Sequence, residues 1–201
     1  MNHLHNIAVI VEDELSGAVM RKLITVSGRN FMIDRMINTR GCGTIKSGME
    51  KFKSSSHALP HVVLTDLDNY PCPLALLNNW GATNLPQQLL FRIAVREVEA
   101  WLLADREGIA EFLHVAVNKV PHDPEADIDP KRTLINLARR SRKKRLAQEL
   151  TPSPGSAAQI GPLYNARLSE FVNTSWDIDR AKLLAESLSR TLNRLSVFLP
   201  G

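Results

Sequence analysis

The stretch Asn6-Ile-Ala-Val-Ile-Val11 is apolar without interruption from Ile7 and runs straight into Glu12-Asp13-Glu14. An apolar run with no polar alternation marks a strand buried on both faces, as in the middle of a parallel sheet. A second such run, His61-Val-Val-Leu-Thr-Asp-Leu-Asp68, also stays apolar or β-branched until carboxylates arrive at its end. Between the two, Leu15, Val19, Leu23 and Val26 recur at helical spacing, predicting a helix from about Glu14 to Val26 with Gly28 as its stop. Phe31, Ile33 and Ile37 predict a strand over Phe31–Asn38. Gly41, Cys42 and Gly43 then turn the chain, and Ile45, Met49 and Phe52 share one face of a short helix ending at Ser54–Ser56. After the His61 run come a Pro-containing loop at Asn69–Pro73 and a short helix to Trp80. A fourth strand is expected over Leu89–Val95 and a helix over Arg96–Phe112. Strands alternating with helices imply right-handed crossovers, hence an α/β fold with a mainly parallel sheet of about four strands flanked by helices.

Composition changes after Leu113. An acidic, Pro-containing loop at Pro121–Pro130 precedes a basic helix, a break follows at Thr151–Gly155, and Ile178 to Phe198 carry the stripe of a closing amphipathic helix. The expected organisation is therefore an α/β domain over residues 1–115 and a basic helical C-terminal extension over residues 116–201. With 201 residues, 44% of them hydrophobic and 23% charged, the chain can bury a core and is neither disordered nor collagen-like. Its longest apolar stretches are five residues, Ile7–Val11 and Ala100–Ala104, against the roughly 20 that a membrane span needs. The first of these is followed by three acids rather than a small-residue cleavage site, so no signal peptide is read there. Cys42 and Cys72 fit neither a disulfide framework nor a Cys-x-x-Cys clip. The reading is a soluble, cytoplasmic protein without a membrane partner.

In an open parallel sheet, ligands bind beyond the carboxyl ends of the strands. Glu12 stands at one such end, and Asp66 and Asp68 at another, two apart and so on the same side of an extended chain. Carboxylates gathered in one crevice repel each other, and a hard divalent cation relieves that repulsion while leaving positions for phosphate oxygens. The plainer alternative is that acids at strand ends cap the next helix, the role expected of Asp13 and Glu14. In Gly41-Cys-Gly-Thr-Ile-Lys46, backbone amides and Lys46 could meet a phosphate, although the segment lacks a Walker ending and its plainer reading is a tight turn.

Charge is unevenly spread. Lys131, Arg132, Arg139, Arg140, Arg142, Lys143, Lys144 and Arg145 fall in fifteen residues without an acid, so a chain of net charge +4 leaves −4 on everything else. Too many charges for capping alone, the run suggests salt-sensitive, sequence-independent contacts to phosphates; a solvated helix face is the alternative. No aromatics interleave it for base stacking. The six histidines, His3 among them, show no metal-ligand spacing, and no nucleophile elbow supports serine hydrolysis.

Glu12 on a strand together with Asp66-Leu67-Asp68 on another resembles the Toprim metal site of topoisomerases, bacterial primases and the overcoming-lysogenization-defect nucleases. Arg92-Ile-Ala-Val-Arg-Glu-Val-Glu-Ala-Trp-Leu-Leu-Ala-Asp105 is similar to a segment of small bacterial Toprim-like proteins, some associated with phage defence. The likeness covers about the first 115 residues. It implies a Toprim-like Rossmannoid fold in which Glu12 acts as metal ligand or general acid/base and Asp66 and Asp68 hold Mg²⁺, or Mn²⁺ in its place. Glu97 and Glu99 could complete a second metal position of the kind used for in-line cleavage. They lie about 200° apart on a regular helix, so one of them, with Glu99 preferred, faces the crevice unless that segment is extended. Trp101 is expected in the core and Asp105 in a structural role. One departure stands out: Asp13 occupies the place where Toprim domains commonly have glycine.

The function expected from this reading is a Mg²⁺-dependent nuclease or related phosphodiester-processing enzyme, set by resemblance in bacterial phage defence. Glu12, Asp66, Asp68 and Glu99 form its catalytic set, DNA is favoured over RNA as its partner, and the arrangement allows an oligomer or a partner ATPase or other defence-complex subunit. Two rivals remain open: a non-catalytic nucleic-acid-binding or regulatory subunit, which the Asp13 departure favours, and a small-nucleotide phosphohydrolase, for which the basic run would be irrelevant.

Overall fold

A computed structural model describes residues 4–198, so His3 lies outside the described residues. The chain forms two compact units, one of Met1–Val95 with Ser189–Gly201 and one of Arg96–Leu188.

The first unit is built on four parallel strands, β1 (His5–Val11), β2 (Phe31–Asn38), β3 (His61–Asp66) and β4 (Leu89–Ala94), in the order β2-β1-β3-β4. The two uninterrupted apolar runs take the central positions, and every residue of β3 and the last five of β1 are buried. Edge strand β2 alternates between half-buried and exposed side chains along its first half. Register places Val9 beside Val62 and Val63 beside Phe91, with a bulge in the β1–β2 pairing after Ile7. Helix α1 (Glu14–Val26) connects β1 to β2, α2 (Cys42–Ser56) connects β2 to β3, and α3 (Pro73–Asn79) connects β3 to β4. The chain leaves β1 in one direction toward β2 and returns past it to β3, so strand order reverses between β1 and β3, the crevice where open α/β sheets bind ligands. Ile10, Val63, Phe91 and Ile93 pack with Ile45, Met49 and Phe52 of α2 and Leu76 of α3 in one apolar layer.

His61 opens β3 as a buried residue, with Nε2 2.7 Å from the Ser55 hydroxyl. Burial pushes its pKa down, an effect that the backbone groups of Pro60 and Leu59 offset only in part. A histidine whose folded pKa lies below its unfolded value of about 6.5 binds fewer protons folded than unfolded, so its contribution is full above that pH and is lost as pH falls through the window beneath it. Unfolding free energies from urea titration should therefore fall more steeply below pH 6.5 in the wild type than in His61→Gln, by at most about 1.4 kcal/mol per pH unit. Parallel profiles would show that His61 does not titrate differently on folding.

The second unit is helical: α4 (Val98–Ala104), α5 (Arg106–Leu113), a 3₁₀ turn (Val117–Lys119), α6 (Pro130–Arg139), α7 (Lys144–Leu150), α8 (Tyr164–Thr174), α9 (Ile178–Leu184) and the start of α10 (Glu186–Val197). Helix α4 packs on α6 and α9, which is why it and α5 belong to this unit rather than to a first domain reaching residue 115. Trp101 is in the core as expected, donating its indole N–H to the Ser187 hydroxyl at 2.7 Å and accepting the Trp176 indole N–H on its carbonyl at 3.2 Å.

Three helix expectations are corrected. The single helix over Arg96–Phe112 is two, because Asp105 leaves α4 and caps α5 with its own carboxylate. The basic helix is also two, α6 and α7, separated at residues 140–143, where the Ser141 hydroxyl accepts the Lys143 N–H. The closing helix breaks at Ala185, where the Glu125 carboxylate accepts the backbone N–H groups of Glu186 and Ser187 at 2.9 Å each and so starts α10 afresh.

Candidate metal centre

The ends of β1, β2 and β3 meet where strand order reverses. Glu12 follows the last residue of β1. The turn after β2 is stitched to the same place: Thr39 donates its N–H (2.9 Å) and its hydroxyl (3.1 Å) to the Val11 carbonyl, and Gly41 donates its N–H to the Glu12 carbonyl at 3.1 Å. Gly41 has φ 126°, a conformation that glycine adopts without strain, and it delivers Cys42 as the first residue of α2. On β3 the ladder holds through Leu67, whose N–H donates to the Ala94 carbonyl, after which Asp68 turns into the left-handed region at φ 49°.

That turn corrects the geometry expected for the aspartates. Strand β3 ends at Asp66, so Asp68 is not two residues further along the same pleat. The ligand atoms that converge belong to Glu12, Cys42 and Asp68, all within 4.8 Å of one another and each from a half-buried residue. Asp66 contributes through its backbone: its N–H donates to Glu12 Oε1 at 2.9 Å, while the Thr65 hydroxyl donates to the same oxygen at 2.5 Å. One carboxylate oxygen of Glu12 is thus fixed by two donors.

Burial pushes the Glu12 carboxyl above the usual carboxylate range, Asp68 and Asp13 push it the same way, and the bonds from Thr65 and Asp66 only partly oppose them. The Cys42 thiol is pushed up too, by burial first and then by Glu12 and Asp68. A site where two carboxylates and a thiol disfavour each other's charge is one that a cation relieves, and these three residues could hold a metal ion. Asp13 is the N-cap of α1, accepting the Ser16 N–H at 2.8 Å, the capping role the sequence suggests.

The other expected site residues have partners. Lys46 donates to Asn79 Oδ1 at 2.6 Å, an oxygen that also accepts the Tyr70 hydroxyl, so it ties α2 to the end of α3. Glu97 precedes α4 in extended conformation, φ −141° and ψ 161°, and that lets it and Glu99 approach one cation. Lys131 Nζ lies 3.3 Å from Glu97 and 3.6 Å from Glu99, and the Lys131 N–H donates to Glu97 at 3.0 Å. Glu99, 1% exposed, also accepts the Tyr164 hydroxyl at 3.0 Å.

The basic run divides between two hollows of the second unit. Lys131, Arg132 and Arg139 line one of about 590 Å³ with residues 152–156, and Lys143, Lys144 and Arg145 line one of about 730 Å³ with Arg167 and Arg180. Exposed Arg140 and Arg142 lie between them in the chain. Arg145 and Arg167 share the Glu149 carboxylate at 2.9 and 2.7 Å, while Arg139 donates to the Asn136 side chain.

Cys42 is the residue sequence reasoning passes over. Its signal is indirect: if β2 lies beside β1, the turn after Asn38 must come up next to Glu12, because Val11 pairs with Asn38. No family model matches the chain, and neither the curated proteins nor the solved structures contain a match to it.

Proposed function

We propose that the chain is a divalent-metal-dependent phosphodiester hydrolase acting on nucleic acid, with Glu12 and Asp68 as its metal-binding carboxylates. The convergence of Glu12, Cys42 and Asp68 at the strand-order reversal carries this reading. Two carboxylates suit Mg²⁺, which takes oxygen ligands; a thiolate from Cys42 would shift preference toward softer cations. When bound, the metal would stabilise charge on a phosphate oxygen and lower the pKa of water for attack. The protein's own part is to hold Glu12 in one orientation through Thr65 and the Asp66 amide. In this reading the exposed cations at 132 and 139–145 contact the phosphates of the strand, giving binding without sequence preference.

The test is incubation of end-labelled duplex DNA, single-stranded DNA and RNA with the protein in Mg²⁺, Mn²⁺ or EDTA. Metal-dependent cleavage should fall by about 10²-fold or more in Glu12→Gln and Asp68→Asn. Cys42→Ser should keep Mg²⁺ activity and alter the response to softer metals. The combined variant Lys143→Gln, Lys144→Gln, Arg145→Gln should bind polymers more weakly, with a shallower salt dependence. Undiminished cleavage in both carboxylate variants, or no cleavage of any polymer by wild type, would overturn the proposal.

A further inference from the structure

The first unit carries a second concentration of charge, this one positive. On β4 the side chains of Leu89, Phe91 and Ile93 belong to the apolar layer under α2 and α3. Alternation along a strand therefore sends Arg92 to the opposite face of the sheet, where its Nε donates to the Thr191 hydroxyl of α10 at 3.2 Å. Arg190 and Arg194 stand four residues apart on α10, a spacing at which like charges repel, and both act on Arg92. Burial and these two cations push the Arg92 guanidinium down to about 10. Among the described residues no carboxylate lies within 4.0 Å of the guanidinium of Arg92 or Arg194.

A partly buried guanidinium with cations for neighbours and no carboxylate is costly, because it gives up water without gaining a counter-ion. At the open edge of the sheet, where β4 has no further strand beside it, a hollow of about 510 Å³ is lined by Leu77, Leu85 and Phe91 together with Arg92, Arg194 and Phe198. Its lining mixes apolar side chains with Thr83, Gln87 and the two arginines, and a hollow that offers both apolar walls and convergent polar groups can take a small molecule. The charged end suits an anion, and guanidinium groups suit phosphate or carboxylate because their N–H groups can donate in parallel to two oxygens.

We propose that this hollow binds a small organic anion, its phosphate or carboxylate head held by Arg92 and Arg194 and its apolar body lying against Phe91, Phe198 and the leucines. The site is independent of the metal centre, since none of its lining residues is Glu12, Cys42 or Asp68.

Calorimetric titration in EDTA, which keeps phosphate from being held through a metal, tests the proposal with hexyl phosphate, hexanol and inorganic phosphate. Hexyl phosphate should bind at least about tenfold more tightly than either fragment, because only it meets both ends of the site. Arg194→Gln, an exposed substitution on α10, should weaken hexyl phosphate about tenfold and leave hexanol unchanged. Arg92→Met should remove the preference for the charged ligand and fold at least as stably as wild type without it. If Arg92→Met fails to fold, Arg194→Gln and the three-ligand comparison decide. Equal binding of hexyl phosphate by wild type and Arg194→Gln, or hexyl phosphate no tighter than inorganic phosphate, would overturn it, whether or not the protein cleaves nucleic acid.

Discussion

Replacing Glu12 with glutamine should make the metal-free protein more stable while removing its stabilisation by divalent cations. The carboxyl is half-buried with Asp68 and Asp13 nearby, and both burial and those charges work against its ionised form. Glutamine keeps the oxygen that accepts from the Thr65 hydroxyl and the Asp66 N–H, and its new amide can donate toward Asp68. In EDTA the variant should therefore unfold at a higher urea concentration than the wild type. With cation at a hundredfold over its Kd, the wild type should gain about 2.7 kcal/mol and the variant nothing. For a chain of this size that means a rise in Tm of roughly 5–10 °C on adding metal, seen in one protein and absent from the other. Asp68→Asn should lose the same cation response. A Glu12→Gln protein that is weaker in EDTA and still stabilised by metal would mean that Glu12 is a structural acceptor and not a metal ligand.

The parts of this architecture that sequence reveals are those set by local pattern. The unbroken runs at Ile7–Val11 and His61–Leu64 mark the two central strands because only a strand covered on both faces can be apolar throughout, and both lie where expected. Helix α1 over Glu14–Val26 and strand β2 over Phe31–Asn38 follow from periodicity, and Asp13 caps α1 as its position suggests. What the pattern does not carry depends on meetings between distant residues. Asp68 leaves the pleat because a left-handed turn follows Leu67, and nothing in Asp-Leu-Asp announces that φ. Cys42 reaches Glu12 only through the pairing of β2 with β1, so its chemistry is invisible until strand order is known. Lys131 looks like one more charge of the basic run, yet its side chain lies against Glu97 and Glu99, more than thirty residues earlier. Helix α8 is not among the expected elements, although Tyr164, Leu168, Phe171 and Val172 form a helical stripe in the sequence.

The second large effect is expected at Asp105, in the pair Asp105→Ala and Gly108→Ala. Asp105 is 0% exposed and its carboxylate is saturated: it accepts the Gly108 N–H at 3.1 Å, the Asp177 N–H at 2.8 Å, and Arg180 Nε and Nη2 at 2.7 and 3.2 Å. It thus caps α5, anchors the residue that begins α9, and holds Arg180 within one buried group. Removing it leaves two backbone donors without a partner and one guanidinium, 45% exposed, that water can partly reclaim. The cost should be about 2–3 kcal/mol, below that of a fully buried pair because of that exposure. Gly108→Ala attacks the same contact from the other side, since a Cβ there would overlap the Asp105 carboxylate, and it should cost about 1–3 kcal/mol. In the double variant the overlap vanishes with the carboxylate, while alanine in place of glycine within α5 adds up to about 1 kcal/mol of helix propensity. The double variant should therefore be no less stable than Asp105→Ala alone, which makes the coupling between residues three apart at least as large as the Gly108→Ala cost, about 1–3 kcal/mol. Chemical denaturation of the four proteins measures that coupling directly. If the two costs simply add, the carboxylate is not packed against Gly108, and the break between α4 and α5 must be held by something other than this cap.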